Sequence, residues 1–138
     1  MRKDIIAQDA TALDATALDT TALDITALAA LFATSGVAHF ARPRPFERIV
    51  PRRLPHKRKL VYASGALELV CAAGLLHART RPAAGWLSTA LLVGVFPANV
   101  QMAVSARRNS STVFRAGTIV RLPLQLPMIR IAWRATRG

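Results

Sequence analysis

Four long apolar runs, separated by short basic or polar segments, dominate the chain after its first 24 residues. They cover residues 25–41, 60–78, 83–105 and 116–133. A helix needs about 20 apolar residues to cross the hydrocarbon core of a bilayer, and the second and third runs reach roughly that length. A soluble four-helix bundle would carry a polar outer face on each helix, and these two runs have none. The pattern therefore predicts an all-α fold, a membrane-embedded four-helix bundle formed by residues 25–138.

Residues 1–24 have a different pattern, because a five-residue repeat begins at residue 11. The repeat reads TALDA, TALDT, TALDI and then TALAA. Five residues advance a helix by about 140°, so aspartates at this spacing point to every face and leave no apolar stripe to bury. Alanine and leucine nevertheless favour helix. We predict that residues 1–24 form a low-complexity extension that is locally helical and exposed.

The segment between the first two apolar runs, residues 42–59, is basic and rich in proline. It contains eight Lys or Arg residues and four prolines, and the prolines exclude one continuous helix. Apolar residues recur among the charges at helical spacing, at Phe46, Ile49, Val50 and Leu54. This pattern indicates a short amphipathic segment lying in the membrane interface between the first two membrane helices. An irregular loop is the alternative interpretation, because prolines are so frequent here.

The net charge of +12, from 19 Lys and Arg against 7 Asp and Glu, first suggests nucleic acid as a partner. The positive residues lie between apolar runs, however, as they do in membrane proteins, so we expect no nucleic-acid binding. The connections at 42–59 and 106–115 carry eight and three positive residues, against six on the other side. The positive-inside rule then predicts a multi-pass protein of the cell membrane with these two connections in the cytoplasm.

Glu68 is the most informative polar residue, because it lies near the centre of the second apolar run. A carboxylate at that depth is costly, so it should face the bundle interior and have a partner. Arg121 in the fourth run is the natural counter-charge, although its side chain could equally snorkel to the nearer interface. Ser64 precedes Glu68 by one turn, and Gln125 follows Arg121 by one turn. These residues form a candidate intramembrane polar site, for proton handling, for ligand binding, or for structural hydrogen bonds between helices.

Two more residues are candidates for this site. His39 ends the first run and could relay protons, although a lone histidine at a helix end more commonly marks the membrane interface. Pro97 lies within the third run, where it frees the carbonyl of Val93 and kinks the helix. Asn99 could then hydrogen-bond across helices or to that disturbed backbone, in a ligand site or in a simple packing contact.

The sequence gives little support to thiol, metal or cofactor chemistry. Cys71 is the single cysteine, and we expect it to be a small core residue. The three histidines are not spaced as metal ligands, so we predict no metal site. We find no nucleotide-binding, phosphate-binding or haem motif. Because electron transfer would then lack a carrier within the chain, we do not expect an enzyme that acts by itself.

Three motifs resemble the DoxX-like family of small bacterial membrane proteins. They are HFxxPxxFxxIVPxxLP at residues 39–55, SGxxEL at 64–69 and FPANxxM at 96–102. The resemblance spans about residues 31–134, and its order and spacing fit throughout. The matching positions are His39, Pro43, Phe46, Pro51, Pro55, Ser64, Gly65, Glu68, Pro97, Ala98 and Asn99.

The resemblance implies a four-helix membrane bundle from a bacterium. Some DoxX-type proteins are associated with membrane oxidoreductase systems, among them thiosulfate–quinone oxidation and an oxidative-stress complex with superoxide dismutase and a sulfurtransferase. We therefore expect a membrane subunit of such a complex, with a redox protein docked on the basic segment and a quinone bound near Glu68 and Asn99. The alternative is a non-redox assembly factor or a carrier of a small lipophilic ligand. The substrate and the oligomeric state stay open at this point.

Overall fold

The computed structural model is helical in all its regular structure. It describes the backbone of residues 2–51, 53–107 and 112–138, and within these ranges the side chains from residue 21 onward except 113 and 114. The helices in this part of the chain are α1 (Arg2–Ala41), α2 (Pro43–Glu47), α3 (Lys57–Leu76), α4 (Arg81–Ala106) and α5 (Thr112–Ala135). The described residues contain no β-strand, so the predicted all-α class is confirmed.

Helix α1 joins the repeat to the first apolar run without a break. Its 40 residues rise about 60 Å, twice the thickness of a hydrocarbon core. Continuity follows from composition, because alanine and leucine supply strong helix propensity in both parts. The predicted exposure of the repeat falls on side chains before residue 21, which lie outside the described residues.

The long helices pack in chain order: α1 against α3, α3 against α4, and α4 against α5, with α5 also contacting α1. Their buried apolar side chains form one core, which includes Leu28, Phe32, Leu75, Leu92 and Ala132. Helices α1 and α3 approach each other closely at two glycines. A Cβ on Gly36 would lie 2.8 Å from the Gly65 carbonyl oxygen, so the missing side chains permit this contact.

Three stretches are long and apolar enough to cross a membrane: Thr21–Ala41, Lys57–Leu76 and Arg81–Ala106. They correspond to the first three predicted spans, with boundaries that differ by at most four residues. The predicted fourth span lies within α5, which runs through Pro123 and Pro127 as a helix but is not among the three. Its arginines lower its apolar character, so the crossing of the bilayer by α5 stays a prediction.

The basic segment begins with a short helix and continues in turns, so of its four regularly spaced apolar residues only Phe46 is helical. Helix α2 is only five residues long, and turns then lead to His56, whose φ of 53° is left-handed. An ion pair of 3.1 Å between Arg58 Nε and Glu47 Oε1 joins the end of α2 to the start of α3. The segment therefore folds back over one end of the helices. Its position in a membrane interface stays a prediction.

Candidate functional site

Glu68 lies on the buried stripe of α3, which also carries Val61, Gly65, Cys71 and Leu75. The residue is 8% exposed, so the predicted inward orientation is confirmed. The stripe faces α1, whose Ser35 and His39 are neighbours of the carboxylate. The Nδ1 atom of His39 is 3.4 Å from Glu68 Oε2. A carboxylate and an imidazole from two helices thus meet inside the protein.

His39 is buried rather than placed at an exposed helix end. Its ring stacks on Phe46 of α2, with centroids 3.9 Å apart and an angle of 23° between the planes. Its Nδ1 atom lies 2.7 Å from the backbone oxygen of Ser35, one turn earlier in α1. Because a carbonyl oxygen only accepts, this hydrogen bond places a proton on Nδ1. The ring is therefore held from two sides, by α2 and by its own helix.

Arg121 does not form the direct ion pair with Glu68 that the sequence suggested as one alternative. Its side chain is exposed, although it remains an electrostatic neighbour of the carboxylate. His39 instead occupies the position within ion-pair distance of Glu68. Sequence reasoning missed this pairing, because the two residues are 29 positions apart on different helices. The signal that could have suggested it is that both residues lie in the motifs that resemble the DoxX-like family.

A second polar group links α4 to α5. Asn99 Nδ2 donates a hydrogen bond of 2.9 Å to Gln125 Oε1, and Gln125 Nε2 donates to the backbone oxygen of Leu92. Gln125 is 2% exposed; its bond to the Leu92 carbonyl is buried, and its bond with Asn99 is partly buried. The sequence suggested that Asn99 would hydrogen-bond either to another helix or to the backbone near Pro97. In the structure its partner is Gln125 on another helix. Pro97 lies between Leu92 and Asn99 in α4, where it interrupts the helical hydrogen bonds.

Two adjoining cavities connect these groups. The larger, of about 280 Å³, lies between the basic segment and the helices and is lined by His39, Ser64, Glu68, Asn99 and Arg121 among mainly apolar residues. The smaller, of about 30 Å³, lies deeper, has space for about one water molecule, and is lined by Gln125 as well as Glu68, Asn99 and Arg121. All six residues proposed for the polar site therefore line one cavity or both.

The residues that match the DoxX-like motifs lie in and around the larger cavity. Phe46, Pro51 and Ala98 line it. Gly65 provides the contact with α1, where a Cβ would lie 2.7 Å from the Cβ of His39. The other prolines shape the backbone: Pro43 begins α2, Pro55 lies in the turn before α3, and Pro97 lies inside α4.

Ser64 and Cys71 have simpler surroundings. The Ser64 hydroxyl donates a 3.0 Å hydrogen bond to the backbone oxygen of Val61, so its oxygen lone pairs remain available as acceptors. Cys71 is a free, fully buried thiol in the apolar core, as predicted. Among the described residues, no group of three His, Cys, Asp or Glu side chains could hold a metal ion.

Comparison with known proteins identifies a family but no activity. No curated protein sequence and no solved structure is similar to the chain. One family model matches residues 28–136, a range that begins within α1 after the repeat and contains all six proposed site residues. Because this match covers most of the sequence, the chain belongs to the family described as "Domain of unknown function (DUF8561)".

Proposed function

We propose that the chain is a multi-pass membrane protein in which α1, α3, α4 and α5 all cross the bilayer as a four-helix bundle. Three of these helices are apolar enough to do so. The fourth, α5, has 24 residues and rises about 36 Å, which is enough to span a hydrocarbon core of roughly 30 Å. Its inner side holds Gln125 against α4, and its exposed positions carry large apolar side chains, among them Ile119, Leu124 and Leu126, as well as Arg121 and Arg130. The exposed apolar side chains favour contact with lipid.

Aromatic residues support the same arrangement. Trp86 near the start of α4 and Trp133 near the end of α5 are both exposed and form an edge-to-face pair with centroids 4.8 Å apart. Tryptophan is enriched at membrane–water interfaces, where its ring contacts lipid and its N–H contacts water. A tryptophan pair that joins the same end of α4 and α5 is therefore typical of two helices that reach the same membrane surface.

The observation that carries the functional proposal is the larger cavity. Its volume of about 280 Å³ is close to the lower limit of ligand sites, about 300 Å³. Its walls are mainly apolar, with His39, Glu68 and Arg121 as convergent polar groups. This combination binds small lipophilic molecules that carry a polar head. We propose that the cavity holds the head of such a ligand, with a quinone as the leading candidate.

The residues present fit a quinone. Apolar side chains and the stacked His39–Phe46 pair suit its ring, and Arg121 can donate a hydrogen bond to a ring oxygen. When bound, a quinone supplies the two-electron chemistry for which the chain has no motif of its own. His39 and Glu68 would orient the ring and hold a proton beside it. The chain would act as a DoxX-like membrane subunit, with a redox partner at the basic segment.

Co-purification tests this function. We expect that the protein, purified in mild detergent from its own cells, brings down a quinone and an oxidoreductase, both identified by mass spectrometry. Ala98→Phe, which fills the larger cavity, should reduce the amount of bound quinone severalfold. Val93→Phe is the control, since it places the same side chain on the same helix at a position that is 55% exposed. A lipophilic ligand without a redox partner would favour the carrier role, and equal ligand content in all three proteins would contradict a ligand site in this cavity.

Cysteine labelling tests the four spans and the orientation. After Cys71→Ser, single cysteines are introduced by Arg53→Cys, Arg79→Cys and Gly138→Cys and reacted with an impermeant maleimide on intact cells. Four spans place residues 79 and 138 on the outside, so both should react, while residue 53 in the cytoplasm should not. If α5 does not cross, residue 138 will share the reactivity of residue 53. Labelling of residue 53 from outside would reverse the orientation.

A further inference from the structure

Helices α3 and α4 pack tightly at one end and separate towards the other. They are joined by the short connection at residues 77–80, and near it a Cβ on Gly74 would lie only 2.7 Å from the Cβ of Ala84. Ser64 and Gly94 each lie ten residues beyond this contact, which is about 15 Å along either helix. Both residues line the larger cavity. The cavity therefore lies between the two helices where they have moved apart.

The larger cavity is open on the side of Gly94. This residue lines the cavity and is also exposed. A Cβ added to it would meet no atom of the described residues within 4 Å beyond its own stretch of α4. On α3, Leu60 also lines the cavity and is 41% exposed. These two residues therefore mark an opening from the cavity to the outer surface of the helices.

In the proposed membrane arrangement, this opening faces hydrocarbon. Gly94 lies at the middle of the apolar stretch Arg81–Ala106, about 18 Å or more from either end. Exposed residues near it on the two helices are apolar, among them Leu67, Val93 and Phe96. Because a polar group at this depth of a bilayer is costly, the apolar part of a molecule is what the opening can hold.

The basic segment covers the cavity at another edge. The ring of His39 stacks on Phe46 with centroids 3.9 Å apart, and Arg58 Nε lies 3.1 Å from Glu47 Oε1. These contacts hold α2 against α1 and α3. Leu54 lines the cavity at this edge and is 46% exposed, so a path beneath the basic segment is the alternative to the opening at Gly94.

The volume of the cavity limits how much of a ligand it encloses. Its 280 Å³ is below the lower limit of about 300 Å³ for sites that enclose a whole drug-sized molecule, so it has room for a ring but not also for a long chain. We propose that the ligand is an amphiphile with a hydrocarbon tail, which leaves the cavity between α3 and α4 at Gly94 and lies in the bilayer. This inference rests on the proposed ligand-binding function and adds the path of the tail.

Two quinones with the same ring system test the path on the full chain in phosphatidylcholine nanodiscs. Decylubiquinone carries an alkyl tail, and ubiquinone-0 carries none. Native mass spectrometry measures the binding of both. We expect Gly94→Trp to weaken decylubiquinone binding about tenfold, since overpacking a contact usually costs about that factor or more. Binding of ubiquinone-0 should stay nearly the same. The ratio of the two affinities is compared between variants, which cancels partitioning of the probes into lipid.

Gly117→Trp is the matched control for this substitution. Gly117 is also an exposed glycine of a long helix, a Cβ there would meet no atom of the described residues within 4 Å, and it lines neither cavity. Both affinities should stay unchanged. Leu54→Trp examines the alternative path and should leave the ratio unchanged. If Gly94→Trp lowers the melting temperature, Gly94→Leu decides, with a smaller effect in the same direction.

The outcomes separate this inference from the function on which it rests. Selective loss of decylubiquinone binding in Gly94→Trp, with none in Gly117→Trp, supports the proposal. Equal loss of both probes places residue 94 at the ring site and overturns the tail path, but leaves a ligand site intact. Unchanged binding in Gly94→Trp, or selective loss in Leu54→Trp instead, also overturns it. Binding of neither probe to the unaltered protein contradicts the ligand site itself, and the inference with it.

Discussion

Replacing Gly85 by alanine is expected to separate α4 from α5 and to lower the free energy of unfolding by about 1–3 kcal/mol, the usual cost of overpacking. A Cβ at this position would lie 2.7 Å from Thr136 N and 2.8 Å from the Ala132 carbonyl oxygen. Both atoms belong to the backbone, so no side chain can rotate away to make space. The measurement is the melting temperature of the purified protein in detergent.

Gly94→Ala is the matched control for this prediction. Gly94 lies on the same helix, and a Cβ there would meet no atom within 4 Å. The substitution should leave the melting temperature unchanged or raise it, since alanine is favoured over glycine inside helices by up to about 1 kcal/mol. Equal melting temperatures for Gly85→Ala and Gly94→Ala would contradict the close contact between α4 and the end of α5.

Gln125→Leu should produce the second large effect, a loss of about 1–2 kcal/mol in stability. Individual hydrogen bonds between membrane helices contribute about 0.6 kcal/mol on average and up to about 1.7. This substitution removes two bonds, to Asn99 and to the Leu92 carbonyl, and leaves the Asn99 amide without its acceptor. Reversible unfolding in mixed micelles of mild and denaturing detergent measures the difference.

A double-mutant cycle isolates the bond between the two side chains. Asn99→Ala, Gln125→Ala and the double variant should give a coupling energy of about 0.5–1.5 kcal/mol. Leu124→Ala is the control, because Leu124 is the neighbour of Gln125, is 52% exposed, and should show no coupling to Asn99. Additive effects at residues 99 and 125 would indicate that α5 does not hold this position against α4.

Both predictions concern the packing of α5, the helix for which composition gives the least support to the proposed membrane crossing. Its apolar character is reduced by Arg121, Arg130, Pro123 and Pro127. Two contacts nevertheless join α5 to α4. Gln125 is hydrogen-bonded to the Leu92 carbonyl, and nearer the end of α5 the backbone lies close to Gly85. A helix anchored in this way can enter the membrane with its neighbour rather than by its own hydrophobicity.

The neighbourhood of Glu68 also changes the electrostatic expectation. An ion pair with Arg121 would cancel the charge of the carboxylate and leave little for a ligand to bind. In the structure, the nearest basic group is His39, and its proton is shared with a backbone oxygen. One carboxylate oxygen, Oε2, is buried and accepts no hydrogen bond from the described residues. Glu68 stays a candidate for ligand binding because the residue lines both cavities.

Much of the fold could be predicted from the order of residues. The apolar runs predicted the long helices to within a few residues at most ends, because helix formation and burial depend on local composition and length. The inward orientation of Glu68 followed from the cost of a charge among apolar side chains. The burial of Cys71 in the core followed from the apolar residues around it.

Partners between helices could not be predicted in the same way. Whether Glu68 meets His39 or Arg121 depends on how α1, α3 and α5 rotate and shift against one another, and the sequence constrains these movements only weakly. The close contact at Gly36 and Gly65 places α1 so near α3 that His39 reaches the carboxylate first. The sequence by itself determined which segments are helical and which polar residues must be buried, since both depend on local chemistry. Only the tertiary structure decided which buried groups meet and what cavity they enclose, because contacts of a few ångströms depend on helix packing.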